Sequence, residues 1–498
     1  MIGLLTVCKE KKMKLTAKPW SELITFQTPR WLREKKFGIY THWGVYSVGA
    51  FGPNVSWYPH LMYQEGSAQY EYHCKKFGHP SKVGYKDLIP QFDGSKFDAD
   101  EWAEIFSQAG AKFAGPVAEH HDGFALWDSK LTKWNAKQMG PKRDIVGEQE
   151  QAFRKKGMEF LTAFHHAENW RFYPHWVKEY DCSDPAYTGL YGELHNLDWG
   201  SEKRYSPQPG FGWNDQDLPT REAHELWLGK LVEVVEAYNP DFVWFDFGLD
   251  FVADYYKRVF LSYYFDRAAQ KKQEVVVSYK HHHLPVGAGL IDLEQGHFEH
   301  LTYHDWITDT TIDNGTAWGY QEGGGYKTAK TLIHYLADNV SKNGYMLLNV
   351  GPKPNGEIPE EAKRTLREVG RWLEVNGEAI YGTNPWVVAE EGPTVMGAYG
   401  DMSELHDIEY LPNDIRFTMK DDVLYAICLG EIGEEVVLNK VAEHMYPGEI
   451  ASMSLLGDGG DLPWKQEGKK IIVRTGGAKR RKDANVLKIR RNQTYRSI

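Results

Sequence analysis

Short runs of branched and aromatic residues alternate with helical patterns along most of this 498-residue chain. Runs such as Phe242-Val243-Trp244-Phe245 are apolar on both faces, which is typical of parallel strands covered by helices on both sides. The predicted strands are Phe37–Trp43, Phe113–Glu119, Glu159–His165, Phe242–Phe247, Glu274–Lys280, Gly289–Glu294 and Tyr345–Val350. The predicted helices are Asp98–Gly110, Arg221–Tyr238, Tyr256–Lys271, Thr328–Lys342 and Pro359–Asn376. This alternation indicates either a (β/α)8 barrel or a doubly wound sheet.

Polar side chains at the ends of these strands favour the barrel. A barrel collects the carboxyl ends of its strands on one rim, so polar residues from many strands meet there. The candidates are His42, His120, His121, His165, His166 and Asp246. We therefore predict an α/β fold built on a (β/α)8-like barrel.

The sequence pattern changes after Gly382. Short alternating strands separated by Gly and Asp turns follow, for example Asp414–Lys420, Val423–Leu429 and Lys470–Arg474. This pattern is typical of an antiparallel β-sandwich. We predict three parts: an N-terminal extension at residues 1–19, the (β/α)8-like domain at residues 20–385, and a C-terminal antiparallel β-sandwich at residues 386–498.

Charge and apolar patterning argue against two classes of partner. The 58 basic and 69 acidic residues give a net charge of −11, whereas a nucleic-acid binder needs a basic face. No run approaches the roughly 18 consecutive apolar residues of a transmembrane helix, so we predict no membrane span. The four cysteines lack a CxxC pair, which argues against a disulfide framework and a structural zinc site.

The first residues do not follow the order of a signal peptide. The apolar segment from Ile2 to Cys8 has no basic residue before it, and lysines from Lys9 to Lys12 follow it. The expected localisation depends on the precursor: periplasmic or secreted if a longer precursor is processed, and cytoplasmic otherwise. The sequence is compatible with a homo-oligomer.

Aromatic residues make up 14% of the chain, which also contains 20 histidines. Aromatic faces pack on the apolar C–H faces of sugar rings, while His, Asp and Trp N–H groups can bind the hydroxyls. An aromatic-rich core explains the same composition, so composition by itself does not decide between the two.

Several carboxylates follow predicted strands. Asp246 ends a very apolar run, where an ionised carboxylate needs a partner. It is either a nucleophile or general base, or a structural residue that caps the turn at Gly248. Asp292, Glu294 and Glu299 follow another strand. With Asp246 they could flank one glycosidic bond, at about 5–5.5 Å for retention or about 6.5–9.5 Å for inversion.

The adjacent His120 and His121 suggest either metal binding or hydroxyl binding. Neighbouring residues on a strand face opposite ways, so hydroxyl binding is the better functional interpretation, and packed core histidines are the structural alternative. His224-Glu225 lacks the second histidine of an HExxH motif, and neither a GxSxG elbow nor a dinucleotide fingerprint is present.

Seven sequence blocks occur in the order of one known family. They are Phe37–Gly44, Ser56–Tyr58, Glu119–Phe124, Trp244–Asp246, Trp318–Tyr320, Asn343–Pro352 and Asn376–Tyr381. Together they resemble the α-L-fucosidases of glycoside hydrolase family 29, and the Asp414–Leu429 stretch resembles that family's β-sandwich. The ordered set is far more specific than any one block.

The resemblance implies a (β/α)8-like catalytic domain, a C-terminal β-sandwich, and no metal or cofactor. It also implies exo-acting, retaining hydrolysis of terminal α-L-fucosyl residues on a fucosylated oligosaccharide or glycoconjugate. The family nucleophile falls on Asp246. The residues implied to bind the sugar or shape its pocket are His42, Trp43, Trp57, Tyr58, His120, His121 and Trp318.

Two departures from the family pattern concern the acid/base residue. Ser56 stands where many relatives have Glu, and Ile307 follows Trp306 where many have Trp-Glu. We place the acid/base at Glu294, in a segment that resembles the family's Asp-Leu-Glu-Arg-Gly version, with Gln295 replacing the arginine. The alternates are Glu299 and Asp305.

Two other functions stay open at this stage. The missing family acids allow a catalytically lapsed fucose-binding protein. A retaining glycosidase for a related sugar, such as an α-L-galactoside, is also compatible, because the two sugars differ only at the C5 methyl group.

Overall fold

Eight parallel strands close into a barrel in the computed structural model, which describes residues 15–195, 219–315, 317–394, 398–404, 408–443, 448–478 and 480–492. The strands are β1 Phe37–Thr41, β2 Phe113–Glu119, β3 Glu159–Phe164, β4 Phe242–Phe245, β5 Val276–Lys280, β6 Leu290–Glu294, β7 Trp306–Thr311 and β8 Gly344–Val350. Each strand pairs with the next in sequence, and β1 pairs with β8 to close the barrel. The predicted (β/α)8-like architecture is therefore confirmed.

Twelve α-helices lie within the described ranges. In chain order they are α1 Trp20–Leu23, α2 Arg30–Lys35, α3 Tyr58–Leu61, α4 Ala68–Lys76, α5 Ala99–Gln108, α6 Ile145–Lys155, α7 Asn169–Phe172, α8 Thr188–Tyr191, α9 Arg221–Tyr238, α10 Asp254–Lys271, α11 Ala329–Ser341 and α12 Glu360–Asn376. None of these helices is long and apolar enough to cross a bilayer.

The start of α5 shows how local sequence sets the boundary of a helix. The Asp98 side chain accepts a hydrogen bond from the Glu101 backbone N–H, which satisfies one of the free N–H groups at the helix start. Phe97 packs against Trp102 with ring centroids 4.9 Å apart, so an apolar contact fixes the direction of chain entry.

The barrel has separate apolar layers inside and outside the sheet. The inner layer comes from side chains on alternating strand positions, including Phe113, Leu161, Phe242, Val276 and Leu347. A larger outer layer packs the strands against the surrounding helices. These two layers hold the strand ends, and hence any rim residues, in fixed positions.

Two neighbouring connections in the barrel contain no helix. These are residues 281–289 between β5 and β6 and residues 295–305 between β6 and β7, all of which are described. The rim beside β6 is instead contacted by the segment Ala398–Glu404, which comes from the C-terminal part of the chain.

The C-terminal part forms two antiparallel sheets. The strands are β9 Asn384–Glu391, β10 Ile415–Lys420, β11 Val423–Cys428, β12 Glu435–Leu438, β13 Ile450–Leu455, β14 Trp464–Glu467, β15 Lys470–Arg474 and β16 Asn485–Arg491. The larger sheet has the strand order β13-β16-β11-β10-β9 and the smaller sheet has the order β12-β15-β14. Apolar side chains from both sheets form one core, so the predicted antiparallel sandwich is confirmed.

Candidate active site

Asp246 lies at the carboxyl edge of the barrel, directly after strand β4. Its buried Oδ2 lies 2.9 Å from His165 Nδ1 and 3.4 Å from His121 Nε2. Its Oδ1 lies 3.2 Å from the Lys280 ammonium. The carboxylate is therefore held by groups that follow or end strands β2, β3 and β5.

Lys280, the last residue of β5, connects this carboxylate to two others. Its Nζ donates to Glu294 Oε2 at 2.5 Å and lies 3.5 Å from Asp309 Oδ1. The ammonium also lies 4.9 Å from the centroid of the Trp244 ring. Burial would lower the pKa of Lys280, but the carboxylates of Asp309, Glu294 and Asp246 raise it well above its usual value. A fixed positive charge thus sits between the acids.

The pKa values of the two candidate catalytic acids are shifted in opposite directions. Burial raises the pKa of Glu294 to about 7, with Lys280 lowering it and Asp309 and Asp246 raising it further. Burial would also raise the pKa of Asp246, but Lys280 and His165 hold it well below its usual value. Near neutral pH, Asp246 is a carboxylate while a substantial fraction of Glu294 is protonated. This division suits a nucleophile and a general acid.

Three histidines line the same space. The ring centroids of His42 and His165 are 5.0 Å apart, and those of His120 and His165 are 4.7 Å apart. His42 is oriented by Asn349, whose Oδ1 lies 2.9 Å from His42 Nδ1 and also accepts from the His42 backbone N–H. Burial lowers the pKa of all three histidines, so their rings are neutral. Neutral imidazoles can both donate to and accept from hydroxyl groups.

Two histidine nitrogens in this cluster are buried without a protein partner among the described residues. They are His120 Nδ1 and His165 Nε2. A buried polar atom normally has a hydrogen-bond partner, so these atoms are suited to meet hydroxyls of a bound molecule.

Half-buried aromatic rings border the acids and histidines. Trp57 stacks on Phe247 with ring centroids 6.1 Å apart and planes at 22°, and the centroids of the Trp57 and His121 rings are 5.5 Å apart. Trp318 lies 5.3 Å from the His42 ring and 5.9 Å from the Lys280 ammonium. The site therefore combines apolar faces with polar atoms, as a sugar ring requires.

Two residues of the sequence blocks lie outside this cluster. Trp43 packs among Phe92, Phe97 and Trp102, and its indole N–H donates to the Lys353 carbonyl. Tyr58 is fully buried and its hydroxyl is 2.8 Å from His73 Nδ1. Their sequence neighbours His42 and Trp57 do lie in the cluster. In each pair, one residue therefore faces the site and the other packs in the surrounding core.

The alternate acids lie elsewhere. Glu299 is exposed and has an ion-pair contact with His300 at 3.8 Å. Asp305 precedes β7, so it lies at the opposite edge of the barrel, where it accepts from the Tyr345 hydroxyl at 2.9 Å. Of the three acid/base candidates, only Glu294 shares a contact with Asp246.

Adjacent residues at two strand ends point to different surroundings. Glu119 pairs with Lys230 at 2.5 Å and Asp122 accepts from the Tyr85 hydroxyl, so both acids beside the paired histidines serve the surrounding structure. His166 stacks on Trp227, whereas His165 contacts Asp246.

Three consecutive histidines follow strand β5, at residues 281–283. His281 contacts Asp401 and His283 contacts Asp250.

The histidine cluster has metal-binding potential. Ligand atoms of His42, His120 and His165 lie within 4.8 Å of one another, as do those of His121, His165 and Asp246. The expectation that His120 and His121 face opposite ways is wrong, because β2 ends at Glu119 and strand alternation stops there. The Nδ1 atoms of His42 and His165 already meet Asn349 and Asp246, so hydroxyl binding through the remaining nitrogens fits the same geometry.

Sequence reasoning missed three members of the site. Lys280 ends a predicted strand, so its position on the rim could have identified it. Asp309 lies in β7, which is not predicted, and its Oδ2 accepts from the Tyr40 hydroxyl at 2.9 Å. Asn349, near the end of β8, positions His42.

A parallel barrel whose carboxyl edge holds paired acids, histidines and aromatic rings defines the class of (β/α)8 glycoside hydrolases. The chain belongs to the alpha-L-fucosidase family, whose profile matches residues 4–378. It is 30% identical over 462 residues to the tissue alpha-L-fucosidase of Rattus norvegicus, covering 90% of this chain and 86% of the relative. It is also 30% identical over 381 residues to the alpha-L-fucosidase of Dictyostelium discoideum, covering 74% of this chain and 75% of that protein.

Solved structures agree with this assignment. The Thermotoga maritima alpha-fucosidase in complex with fucose has a TM-score of 0.72 and 26% sequence identity, covering 95% of this chain and 99% of that one. The Thermotoga maritima alpha-L-fucosynthase in complex with alpha-L-Fuc-(1-2)-beta-L-Fuc-N3 has a TM-score of 0.73 and 27% identity, covering 96% and 100%. The predicted family membership and glycoside hydrolase class are therefore confirmed.

Proposed function

We propose that the protein is an exo-acting, retaining α-L-fucosidase that removes terminal α-L-fucosyl residues from fucosylated glycans through a covalent fucosyl-enzyme intermediate. The separation of the two acids carries the proposal of retention. Asp246 Oδ1 and Glu294 Oε2 both contact Lys280 Nζ, at 3.2 and 2.5 Å, so these two oxygens are at most 5.7 Å apart, the sum of the two distances. This short distance between the facing oxygens favours the close spacing of the carboxyl groups in retaining enzymes, about 5–5.5 Å, over the wider spacing in inverting enzymes, about 6.5–9.5 Å.

In the first step the Asp246 carboxylate attacks the anomeric carbon. The bond from that carbon to the glycosidic oxygen breaks, and the leaving oxygen takes the proton of Glu294. The low pKa of Asp246 and the raised pKa of Glu294, about 7, supply the two protonation states that this step needs.

In the second step Glu294, now a carboxylate, removes a proton from water as that water attacks the anomeric carbon. The bond to Asp246 breaks, fucose leaves with its original anomeric configuration, and Glu294 regains its proton. Two inversions at one carbon give net retention.

Recognition of the sugar is assigned to the histidines and aromatic rings around Asp246. The unpartnered His120 Nδ1 and His165 Nε2 fit hydroxyl groups. The half-buried rings of Trp57 and Trp318 fit the C–H face and the C5 methyl. The methyl alone supplies about 1–3 kcal/mol of discrimination, so hydroxyl contacts must contribute much of the selectivity.

Product stereochemistry and covalent trapping test this function. We expect the wild-type protein to release 4-nitrophenol from its α-L-fucoside and to form α-L-fucose first, as seen by time-resolved proton NMR. A 2-fluoro-fucosyl fluoride should label Asp246 in peptide mass analysis. First formation of β-L-fucose, or a label on another residue, contradicts the mechanism. Fucose binding without turnover supports the lapsed binding protein, and faster turnover of the α-L-galactoside supports the related-sugar alternative.

Substituting Lys280 should move the pH dependence of kcat/KM. In the wild type we expect activity to fall above about pH 7, where Glu294 of the free enzyme loses its proton. Lys280 lowers the pKa of both Glu294 and Asp246. Lys280→Met removes this charge, so both limbs of the profile should shift to higher pH, together with a loss of rate.

Lys230→Met is the matched control for this experiment. Lys230 is also buried and also pairs with a glutamate, Glu119, at 2.5 Å. It should lower thermal stability without moving the limbs of the profile, because it contacts neither Glu294 nor Asp246 among the described residues. If both limbs of the kcat/KM profile of Lys280→Met stay at their wild-type pH values, the assigned role of Lys280 is contradicted.

A further inference from the structure

The segment Ala398–Glu404 lies along the residues that follow strand β6. The backbone N–H of Met402 donates to the Glu294 carbonyl at 2.6 Å, and that of Glu404 donates to the Gln295 carbonyl at 2.8 Å. Gly400 N–H donates to the His297 carbonyl at 2.9 Å. The C-terminal part of the chain therefore borders the proposed acid/base directly.

The segment and the residues after β6 approach each other so closely that there is no room for a side chain at Gly296. A Cβ added to Gly296 would lie 2.1 Å from the Gly400 carbonyl oxygen. Gln295 beside it has a left-handed backbone, with φ of 41°. The close approach therefore fixes the path of the chain immediately after Glu294.

One side chain of this segment contacts residues at the ends of the two strands that present Lys280 and Glu294. Asp401 Oδ1 accepts a hydrogen bond from the Glu294 backbone N–H at 3.0 Å, and its Oδ2 lies 3.4 Å from His281 Nδ1. His281 follows Lys280 directly and has a left-handed backbone, with φ of 52°. Asp401 thus links the end of β6 to the residue after β5, on either side of the Lys280–Glu294 pair.

The segment has a separate anchor that does not involve Asp401. The buried Glu404 carboxylate accepts from Lys327 Nζ and from the Thr310 hydroxyl, each at 2.8 Å. A change at Asp401 can therefore remove the link to Glu294 while Glu404 still holds the segment on β7.

We propose that Asp401 is a positioning residue for Glu294, supplied to the barrel site by the C-terminal part of the chain. The inference rests on the proposed role of Glu294 as acid/base. Asp401 fixes the last peptide of β6 and the start of the loop after β5, and so sets where the Glu294 carboxyl stands relative to the glycosidic oxygen. A displacement of about 1 Å at a catalytic group can cost on the order of 100-fold in rate.

Leaving-group dependence tests this role. Asp401→Ala should lower kcat/KM about 10- to 100-fold for a fucosylated disaccharide, whose leaving group needs a proton, and only a few-fold for 2,4-dinitrophenyl α-L-fucoside. Asp401→Asn keeps an oxygen that can accept from the Glu294 N–H, so it should restore most of the disaccharide rate. Ser403→Ala, which alters a hydroxyl of the same segment bonded to the Gly400 carbonyl, should affect neither substrate selectively.

The outcomes separate this inference from the proposed function. Equal losses on both substrates in Asp401→Ala, or wild-type rates on both, overturn the positioning role. If Asp401→Ala does not fold, failure of Asp401→Asn to keep the disaccharide rate close to that of wild type overturns it. Glu294→Ala, measured in parallel, must itself show leaving-group dependence. Its absence overturns the acid/base assignment, and with it the role of Asp401.

Discussion

Replacing Asp246 by Asn or Gly should abolish fucoside hydrolysis, with a loss on the order of 10⁴-fold or more, the scale found when the nucleophile of a covalent enzyme is removed. The reason is specific to its surroundings. Lys280 and His165 keep the pKa of Asp246 low, so the wild-type protein always presents a carboxylate to the anomeric carbon. An amide in the same place cannot form the intermediate. Initial rates with 4-nitrophenyl α-L-fucoside measure the loss.

The chain offers a control on the same strand. Asp241 precedes β4 and is almost as buried as Asp246, 6% against 5% exposed, but its Oδ2 accepts from the Phe160 backbone N–H at the opposite edge of the barrel. Asp241→Asn should keep turnover, even if it lowers the melting temperature.

Added azide provides a second readout for the nucleophile. In Asp246→Gly, azide can occupy the vacated space and attack an activated α-L-fucoside from that face, which gives a β-fucosyl azide. Retained turnover in Asp246→Asn, or an α-azide from Asp246→Gly, contradicts the assignment.

The architecture could be predicted because the strands and helices carry local signals. The helix Arg221–Tyr238 lies where the sequence predicts it, since Thr220 caps its start and Asn239-Pro240 ends it. Strand β7, Trp306–Thr311, is not predicted, because four of its six residues are polar although all six are buried. Their polar groups are satisfied by tertiary contacts, such as the bond from the Tyr40 hydroxyl to Asp309. Periodicity alone does not reveal such contacts.

Part of the site could be predicted because it, too, has local sequence signals. The family blocks identify Asp246 and the histidines, but they do not show which member of an adjacent pair faces the pocket. His42 contacts the cluster while Trp43 packs in the core, although both directly follow the end of β1. Asp401 has no local signal at all. It lies 107 residues from Glu294 in sequence, and only the packing of the C-terminal part against β6 brings the two together.

The charged side chains of the site differ in how far they are exposed. The barrel supplies both proposed catalytic carboxyls, Asp246 after β4 and Glu294 on β6, and Lys280 on β5 contacts both. Glu294 has the highest exposure of this group, with 23% of its side chain accessible, whereas Asp246 and Lys280 are nearly enclosed. A proton donor must reach the leaving group on the open side of the sugar, so the arrangement favours Glu294 for that task.

Replacing Glu294 by Ala should therefore divide substrates by leaving group. General acid assistance is worth about 10²–10⁴-fold, so a natural disaccharide should slow by that factor. An activated aryl fucoside needs little protonation and should keep most of its first-step rate. The fall in kcat/KM above about pH 7 should also disappear, because the group whose pKa is about 7 is gone. Steady-state kinetics on both substrates across pH measure these effects.

Glu299 and Asp305, the two other acids, serve as controls for the Glu294 assignment. Glu299 is exposed and Asp305 lies at the amino edge of β7, so Glu299→Ala and Asp305→Asn should leave the ratio of disaccharide to aryl-fucoside rates unchanged. Azide added to Glu294→Ala should attack the covalent intermediate and give an α-fucosyl azide, the anomer opposite to that from Asp246→Gly. If Glu294→Ala turns over the disaccharide at the wild-type rate while Glu299→Ala does not, the proton donor is Glu299, and Lys280 then holds Glu294 for structural reasons alone.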